Sequence, residues 1–115
     1  MASKSDLSDI GSTLEELFLV LMERKENMQD ESYVALLYKK GENSILKKIG
    51  EEASEVIIAA KEPEKQKTIH EIADLWFHCM VLMGHKGIGL DEIANEFRRR
   101  MGVSGLEEKA SREEG

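Results

Sequence analysis

The chain has 115 residues, of which 41% are hydrophobic and 34% charged, and this predicts one soluble domain with a single hydrophobic core. Sixteen Lys and Arg residues against 23 Asp and Glu residues give a formal net charge of −7, which argues against binding to nucleic acid or to an anionic membrane. No apolar run is long enough to span a membrane, the N-terminus lacks a signal-peptide core, and the single cysteine, Cys79, cannot form an internal disulfide. A cytoplasmic protein is therefore expected, and an anionic ligand would need a divalent cation to offset the negative charge.

The first predicted element is a helix that begins at Ser12. Ser12 and Glu15 have the spacing of a capping box, and leucine residues follow at helical intervals until the pattern fades near residues 27–30. Residues 1–11 are mainly polar, so we expect this part of the chain to be flexible.

A short second helix is predicted over residues 33–40. Ser32 is a suitable N-cap because its hydroxyl can accept a hydrogen bond from a free backbone N–H of the first turn. Gly41 follows the last residue of the helical pattern, and a glycine in this place usually ends a helix in the left-handed conformation.

Three further helices are predicted, beginning at Asn43 or Ser44, near Glu64 and near Leu90. Pro63 ends the first of these helices, since proline cannot continue the hydrogen-bond ladder, and Gly87 ends the second. Arg98–Arg100 fall in the last turn of the third, where positive charge complements the helix dipole.

The fold class that these elements predict is all-α, a bundle of four to five helices formed by residues 1–115 as one domain. No stretch of strand length alternates between apolar and polar residues, and the tail from residue 103 to 115 is expected to be flexible. The fourth helix is apolar almost all round from Ile69 to Met83. Because five short helices cannot easily cover it on every side, a homodimer is also expected.

Acidic residues interrupt the apolar faces of the third and fourth helices. Glu52 lies beside the apolar stripe of the third helix, and Glu55 follows one turn later. Glu71 and Asp74, together with His78, form a narrow polar strip on the otherwise apolar fourth helix. Burial of unpaired carboxylates costs several kcal/mol each, so these groups must be protonated, paired or bound to a metal.

Four carboxylates can converge if the third and fourth helices pack antiparallel. We call this set the carboxylate cluster: Glu52, Glu55, Glu71 and Asp74. Its two halves read E-x-x-E and E-x-x-D, and such oxygen-only donors suit Mg²⁺ or Mn²⁺. A di-iron site would instead need Glu-x-x-His pairs, which neither half provides. Signatures of zincins, P-loops and dinucleotide-binding folds are absent from the sequence.

The same residues allow an interpretation without a metal. Four of the acidic residues have a basic neighbour on their own helix with which they could pair, and these pairs are Glu51 with Lys47, Glu52 with Lys48, Glu71 with Lys67, and Asp74 with His70 or His78. A histidine such as His78 in a helical bundle is more often a hydrogen-bonded core residue than a ligand.

Two motifs resemble the E-E-x-x-E … E-x-x-D signature of the all-α nucleoside triphosphate pyrophosphatases: Glu51-Glu52-Ala-Ser-Glu55 and Glu71-Ile-Ala-Asp74. Further segments resemble the phosphoribosyl-ATP pyrophosphatase family within this superfamily, and these are Ser32-Tyr33 with Leu36-Leu37, Lys47-Lys48-Ile-Gly-Glu51-Glu52-Ala, Glu71-Ile-Ala-Asp74-Leu-Trp-Phe-His78, and Ser104-Gly105-Leu-Glu-Glu-Lys109-Ala-Ser-Arg112. The resemblance covers residues 12–112. Val34 departs from it, because the family usually carries Thr at this place.

The resemblance implies a Mg²⁺-dependent homodimeric enzyme, with Mn²⁺ as a possible substitute. The implied reaction converts phosphoribosyl-ATP to phosphoribosyl-AMP and pyrophosphate, which is the second step of histidine biosynthesis. The implied roles are metal binding by the carboxylate cluster, activation of water by Glu51 or Glu55, and substrate binding by Lys48, Ser32, Tyr33 and His78.

Three alternatives remain open from the sequence. A house-cleaning nucleotide pyrophosphatase of the same superfamily would share the carboxylate cluster and differ in its base pocket. A non-enzymatic interaction module could use the same acidic groups to hold a structural cation. The chain could also act beside a separate cyclohydrolase as one half of a two-enzyme system, although no such segment is fused to it.

Overall fold

A computed structural model describes residues 4–27 and 29–102, with side chains described from residue 9 onward. This part of the chain forms five helices and no strand: α1 (Lys4–Glu26), α2 (Tyr33–Lys40), α3 (Glu42–Ala60), α4 (Lys65–Lys86) and α5 (Leu90–Met101). The predicted all-α fold class is confirmed. None of the described helices is both long and apolar enough to cross a bilayer.

The helix α1 begins earlier than the capping-box pattern predicted. It starts at Lys4, so the predicted start at Ser12 is wrong. Residues 4–11 contain no proline, and once a helix exists each further residue extends it by one backbone hydrogen bond. The predictions for residues 1–3 and for the tail, including the family-like segment at 104–112, lie outside the described residues.

The other helix boundaries fall within one or two residues of the predicted ones. Ser32 caps α2, and its Oγ accepts a hydrogen bond from the N–H of Ala35 at 3.2 Å. Gly41 has a positive φ of 97° but an extended ψ of −174°, and this single residue separates α2 from α3. Gly87 ends α4 in the left-handed conformation, with φ 72° and ψ 31°.

The core is built around the hairpin of α3 and α4, which is the most extensive helix pair. Residues 61–64 join the two helices, and this short connection makes them antiparallel neighbours. Helix α1 packs on α4, and α2 lies between α1 and α3. The buried cluster at their centre consists of Leu21, Val34, Leu37, Tyr38, Ile45, Met80, Val81 and Met83.

A buried tyrosine fixes α2 against α4. The hydroxyl of Tyr38 donates to the carbonyl of Val81 at 2.9 Å, and burial raises the pKa of Tyr38 to about 12, so the group remains a neutral donor. Gly84 makes room for this contact, because a Cβ there would collide with Met22 and with the Tyr38 hydroxyl. The start of α2, at Tyr33, is thereby held beside α4.

Helices α4 and α5 leave a wide apolar surface uncovered in the single chain. Trp76 of α4 and Phe97 of α5 are 48% and 56% exposed. Throughout α5, all of which the structure describes, no residue is buried. A groove of about 600 Å³ runs between α1, α4 and α5, and apolar side chains form nearly all of its lining.

Candidate active site

The hairpin of α3 and α4 places Glu52 and Glu55 of α3 near Glu71 of α4. The pKa of Glu71 on α4 reflects this proximity. Partial desolvation raises the pKa, and the negative charges of Asp74, Glu52 and Glu55 raise it further. The imidazole of His70 opposes these effects. The two helices therefore place like charges close enough to repel one another, as a cation site requires.

The members of the cluster differ in their exposure. The side chains of Glu52 and Glu71 are 12% and 19% exposed, whereas that of Asp74 is 40% exposed. Glu55 is exposed. Glu52 and Glu71 are thus partly desolvated, whereas Asp74 and Glu55 are open to solvent.

A histidine extends the cluster on α4. The Nε2 atom of His70 lies 3.3 Å from Oδ2 of Asp74 and 3.9 Å from Oε1 of Glu71. Among the described residues this is the one group of three such side chains whose ligand atoms lie within 4.8 Å of one another, and it does not include Glu52 or Glu55. From its sequence position His70 is expected only as an ion-pair partner of Asp74, although its spacing of one turn before that residue is the signal for a place in the site.

Lys48 is the cation on the α3 side of the cluster. Its Nζ lies 3.6 Å from Glu52 and 3.7 Å from Glu51. Burial works to lower the pKa of Lys48, but Tyr33, Glu51 and Glu52 outweigh it and raise the pKa above its ordinary value. Lys48 is therefore charged at neutral pH. Glu51, with a 49% exposed side chain, stands further out than Glu52.

His78 and Tyr33 meet beside this face. His78 is 5% exposed, its Nδ1 lies 2.7 Å from the carbonyl oxygen of Asp74, and its Nε2 lies 2.8 Å from the hydroxyl of Tyr33. A carbonyl can only accept, so Nδ1 carries the proton, and in a neutral imidazole Nε2 then accepts from the Tyr33 hydroxyl. Both nitrogens of a neutral His78 are thus occupied within the protein.

The predicted substrate-binding residue Ser32 and the nearby Val34 have local structural roles. The hydroxyl of Ser32 accepts a hydrogen bond as the α2 cap, and the backbone N–H of Ser32 donates to Asp30 at 2.6 Å. That backbone hydrogen bond lowers the pKa of Asp30. Val34, the position that departs from the family pattern, is buried in the core.

The ion pairs that an interpretation without a metal requires are formed only in part. Lys48 pairs with Glu52, and His70 with Asp74, as that interpretation predicted. Lys67, however, pairs with Glu64 at 3.7 Å rather than with Glu71. The partly buried carboxylate of α4 therefore lacks the lysine partner that the alternative assigned to it.

A cleft of about 430 Å³ opens next to the cluster, toward the turn between α3 and α4. Its lining combines carboxylates, two basic side chains and an apolar floor, namely Glu55, Ile58, Ala59, Glu62, Gln66, Lys67, His70 and Glu71. The cleft offers space for a small ligand in contact with Glu55 and Glu71.

Comparison with known proteins matches nearly the whole chain to one family. The family profile described as phosphoribosyl-ATP pyrophosphohydrolase matches residues 14–101. A phosphoribosyl-ATP pyrophosphatase of Methylococcus capsulatus is 55% identical over 102 residues, which are 89% of this chain and 97% of the relative. One from Geobacter sulfurreducens is 48% identical over 108 residues, which are 94% of this chain and 100% of the relative.

Proposed function

Because the chain belongs to the phosphoribosyl-ATP pyrophosphohydrolase family, we propose that it hydrolyses the α–β phosphoanhydride bond of phosphoribosyl-ATP. One water molecule is consumed, and the products are phosphoribosyl-AMP and pyrophosphate. This reaction is the second step of histidine biosynthesis, which implies a cytoplasmic site of action. The proposal is supported by the position of Glu71, which lies near the carboxylates of Asp74, Glu52 and Glu55 and borders an open cleft, in a chain about half identical to proteins of that name.

The donor set of the cluster fits Mg²⁺. Glu71 lies near the other three carboxylates, and its raised pKa reflects desolvation and like charge that a divalent cation would offset. Hard oxygen donors are the ligands that Mg²⁺ prefers, and Mn²⁺ can replace it at such sites. We assign metal binding to Glu52, Glu55, Glu71 and Asp74. A bound Mg²⁺ would neutralise charge on the triphosphate and the leaving pyrophosphate and lower the pKa of the attacking water.

The remaining residues position the substrate and the water. Glu55 is exposed and borders the cleft, so it or Glu51 can orient the water and accept its proton. Lys48 can contact phosphate oxygens as a point charge. Ser32 and Tyr33 at the start of α2 complete the proposed substrate contacts, with His78 behind Tyr33.

The test is pyrophosphate release from phosphoribosyl-ATP in the presence of Mg²⁺, measured beside ATP and a panel of other nucleoside triphosphates. A strong preference for phosphoribosyl-ATP is expected. A preference for another nucleotide would point to a house-cleaning pyrophosphatase with the same cluster. Absence of turnover on every substrate, with a folded protein, would favour an interaction module that holds a structural cation.

The uncovered surface of α4 and α5 supports the proposed homodimer. An amphipathic helix that buries none of its residues needs a partner, and the groove beside α5 is apolar. We expect light scattering to give a dimer at low micromolar concentration. Phe97→Glu places a charge on this surface and should produce a monomer, whereas Phe97→Leu should remain dimeric. A monomeric wild-type protein at that concentration would contradict the proposal.

A further inference from the structure

His70 of α4 lies beside two of the proposed Mg²⁺ ligands and offers a nitrogen atom where they offer oxygen. Its Nε2 is 3.3 Å from Oδ2 of Asp74 and 3.9 Å from Oε1 of Glu71. We infer that His70, Glu71 and Asp74 form a mixed nitrogen and oxygen site that binds a transition-metal ion, Zn²⁺ above all, in competition with Mg²⁺. The inference rests on the proposed function, because it concerns a second class of cation at two of the proposed Mg²⁺ ligands.

The three side chains lie on one side of a single helix. At about 100° per residue, Asp74 falls between His70 and Glu71 when α4 is viewed down its axis. Residues three or four apart on a helix are neighbours, so Asp74 faces both of the others. Their ligand atoms lie within 4.8 Å of one another. An ion can therefore be bound by one rigid helix, without the closure of a loop.

The distances suit zinc better than an ordinary ion pair. Bonds of about 2.0 to 2.1 Å in a tetrahedral zinc site put neighbouring ligand atoms about 3.3 Å apart. The distance from His70 to Asp74 is 3.3 Å, whereas a charge-assisted hydrogen bond measures about 2.7 to 2.9 Å. The 3.9 Å distance to Glu71 is longer, and a small rotation of that side chain brings its oxygen to the same spacing.

His70 is also the histidine that is accessible to an ion from solvent. The chain has three histidines. Both ring nitrogens of His78 are hydrogen-bonded inside the protein, and Nε2 of His85 lies 3.2 Å from the single carboxylate of Glu42. The side chain of His70 is 71% exposed, so its ring can turn the Nε2 lone pair of a neutral imidazole toward an ion.

The nitrogen atom decides which cation gains from this arrangement. Imidazole is a good ligand for Zn²⁺, whereas Mg²⁺ prefers oxygen donors in an octahedral shell and retains several of its water molecules. His70 should therefore strengthen the binding of Zn²⁺ and contribute little to that of Mg²⁺. Because both ions require Glu71 and Asp74, binding of one opposes binding of the other.

Calorimetric titration of the nucleotide-free protein with Zn²⁺, and separately with Mg²⁺, tests the role of His70. We expect His70→Gln to weaken Zn²⁺ binding by at least about 10-fold, since even the residues that support a metal ligand contribute that much. Its Mg²⁺ affinity should be unchanged. His85→Gln is the matched control and should retain the Zn²⁺ affinity of the wild type, because His85 has one carboxylate partner. Equal Zn²⁺ affinity in His70→Gln and wild type would overturn the inference.

A resonance of the ring provides a readout that a structural role of His70 would not change. Addition of Zn²⁺ should shift the ¹⁵N resonance of His70 Nε2, because this atom donates its lone pair to the ion, and should leave the ring resonances of His85 in place. Saturating Mg²⁺ should reduce the apparent Zn²⁺ affinity of the wild type. An unmoved His70 resonance, or a Zn²⁺ affinity that Mg²⁺ does not alter, would contradict the inferred site.

Asp74→Asn separates this inference from the proposed reaction. The variant should lose affinity for both Zn²⁺ and Mg²⁺, whereas His70→Gln loses affinity for Zn²⁺ alone. Undiminished Zn²⁺ binding by Asp74→Asn would overturn the inference. Absence of wild-type turnover on phosphoribosyl-ATP would overturn the proposed reaction instead, and the Zn²⁺ titrations, which require no substrate, would still decide whether His70 is a ligand.

Discussion

Replacement of Glu71 by Gln is expected to lower pyrophosphate release by about 10²- to 10³-fold while the chain remains folded. Glu71 lies within the electrostatic reach of the other three cluster carboxylates and is partly desolvated. The amide has the same size but carries no charge, so it binds a divalent cation poorly. Because the ionised form of Glu71 is disfavoured in the metal-free fold, the substitution should leave the metal-free free energy of unfolding unchanged or raise it.

Steady-state turnover and urea unfolding of the same preparations measure both parts of this prediction. Glu16→Gln is a matched control, since Glu16 is exposed on α1 and has no ion pair among the described residues. A Glu71→Gln protein that keeps its turnover, or that loses mainly thermal stability in Mg²⁺, would favour the interaction-module alternative.

Removal of divalent cations is expected to abolish turnover completely, and Mg²⁺ is expected to stabilise the fold. A ligand that binds only the native state at 100 times its Kd adds about 2.7 kcal/mol to the free energy of unfolding. Chelation followed by titration with Mg²⁺, monitored by both turnover and unfolding, tests this directly. Turnover that persists after exhaustive chelation would contradict the assignment of the cluster as a metal site.

The pH dependence of stability provides a second measure of the same cluster. The folded-state pKa of Glu71 is raised above its ordinary value of 4.5, so its contribution to stability is fully present below that value and is lost as the pH rises through the folded-state pKa. Glu96 has the opposite effect on the pH dependence of stability, because hydrogen bonds from Arg99 and Arg100 lower its pKa to about 2. Its contribution to stability is therefore lost as the pH falls. The difference between wild type and Glu71→Gln isolates the contribution of Glu71.

Without a cation, the stability of the wild type should therefore decline relative to Glu71→Gln as the pH is raised from 4 toward neutrality. Saturating Mg²⁺ should reverse this trend, since the bound cation favours the ionised carboxylate. Denaturant midpoints across this range, with and without Mg²⁺, provide the measurement. Parallel curves for the two proteins without Mg²⁺ would show that desolvation and like charge do not raise the pKa of Glu71 in the folded protein.

Much of the fold and the outline of the cluster could be predicted from the sequence, because both depend on spacing along single helices. Carboxylates three residues apart share a helix face whatever the helix packs against, so Glu71 and Asp74 could be assigned together. The start of α1 was missed because a capping box is a local signal, and a helix passes through it when nothing upstream stops it.

The hydrogen bond between Tyr33 and His78 could not be predicted in this way. The two residues are 45 positions apart, and their contact depends on how α2 lies over α4. That placement follows from a buried tyrosine and from the space at Gly84, which are tertiary features without a periodic signal. The resemblance to a family indicated that both residues belong to the site, but it did not indicate that they form a hydrogen bond with each other.

The hairpin of α3 and α4 also has a consequence for how the protein folds. All four cluster residues lie within this hairpin, and residues 61–64 are the only connection that must close to bring its helices together. Closing so short a loop costs little chain entropy, and contacts between neighbours in sequence form rapidly. Folding can therefore assemble the four carboxylates before α1 and α5 dock, and their mutual repulsion then opposes the earliest tertiary contact of the chain.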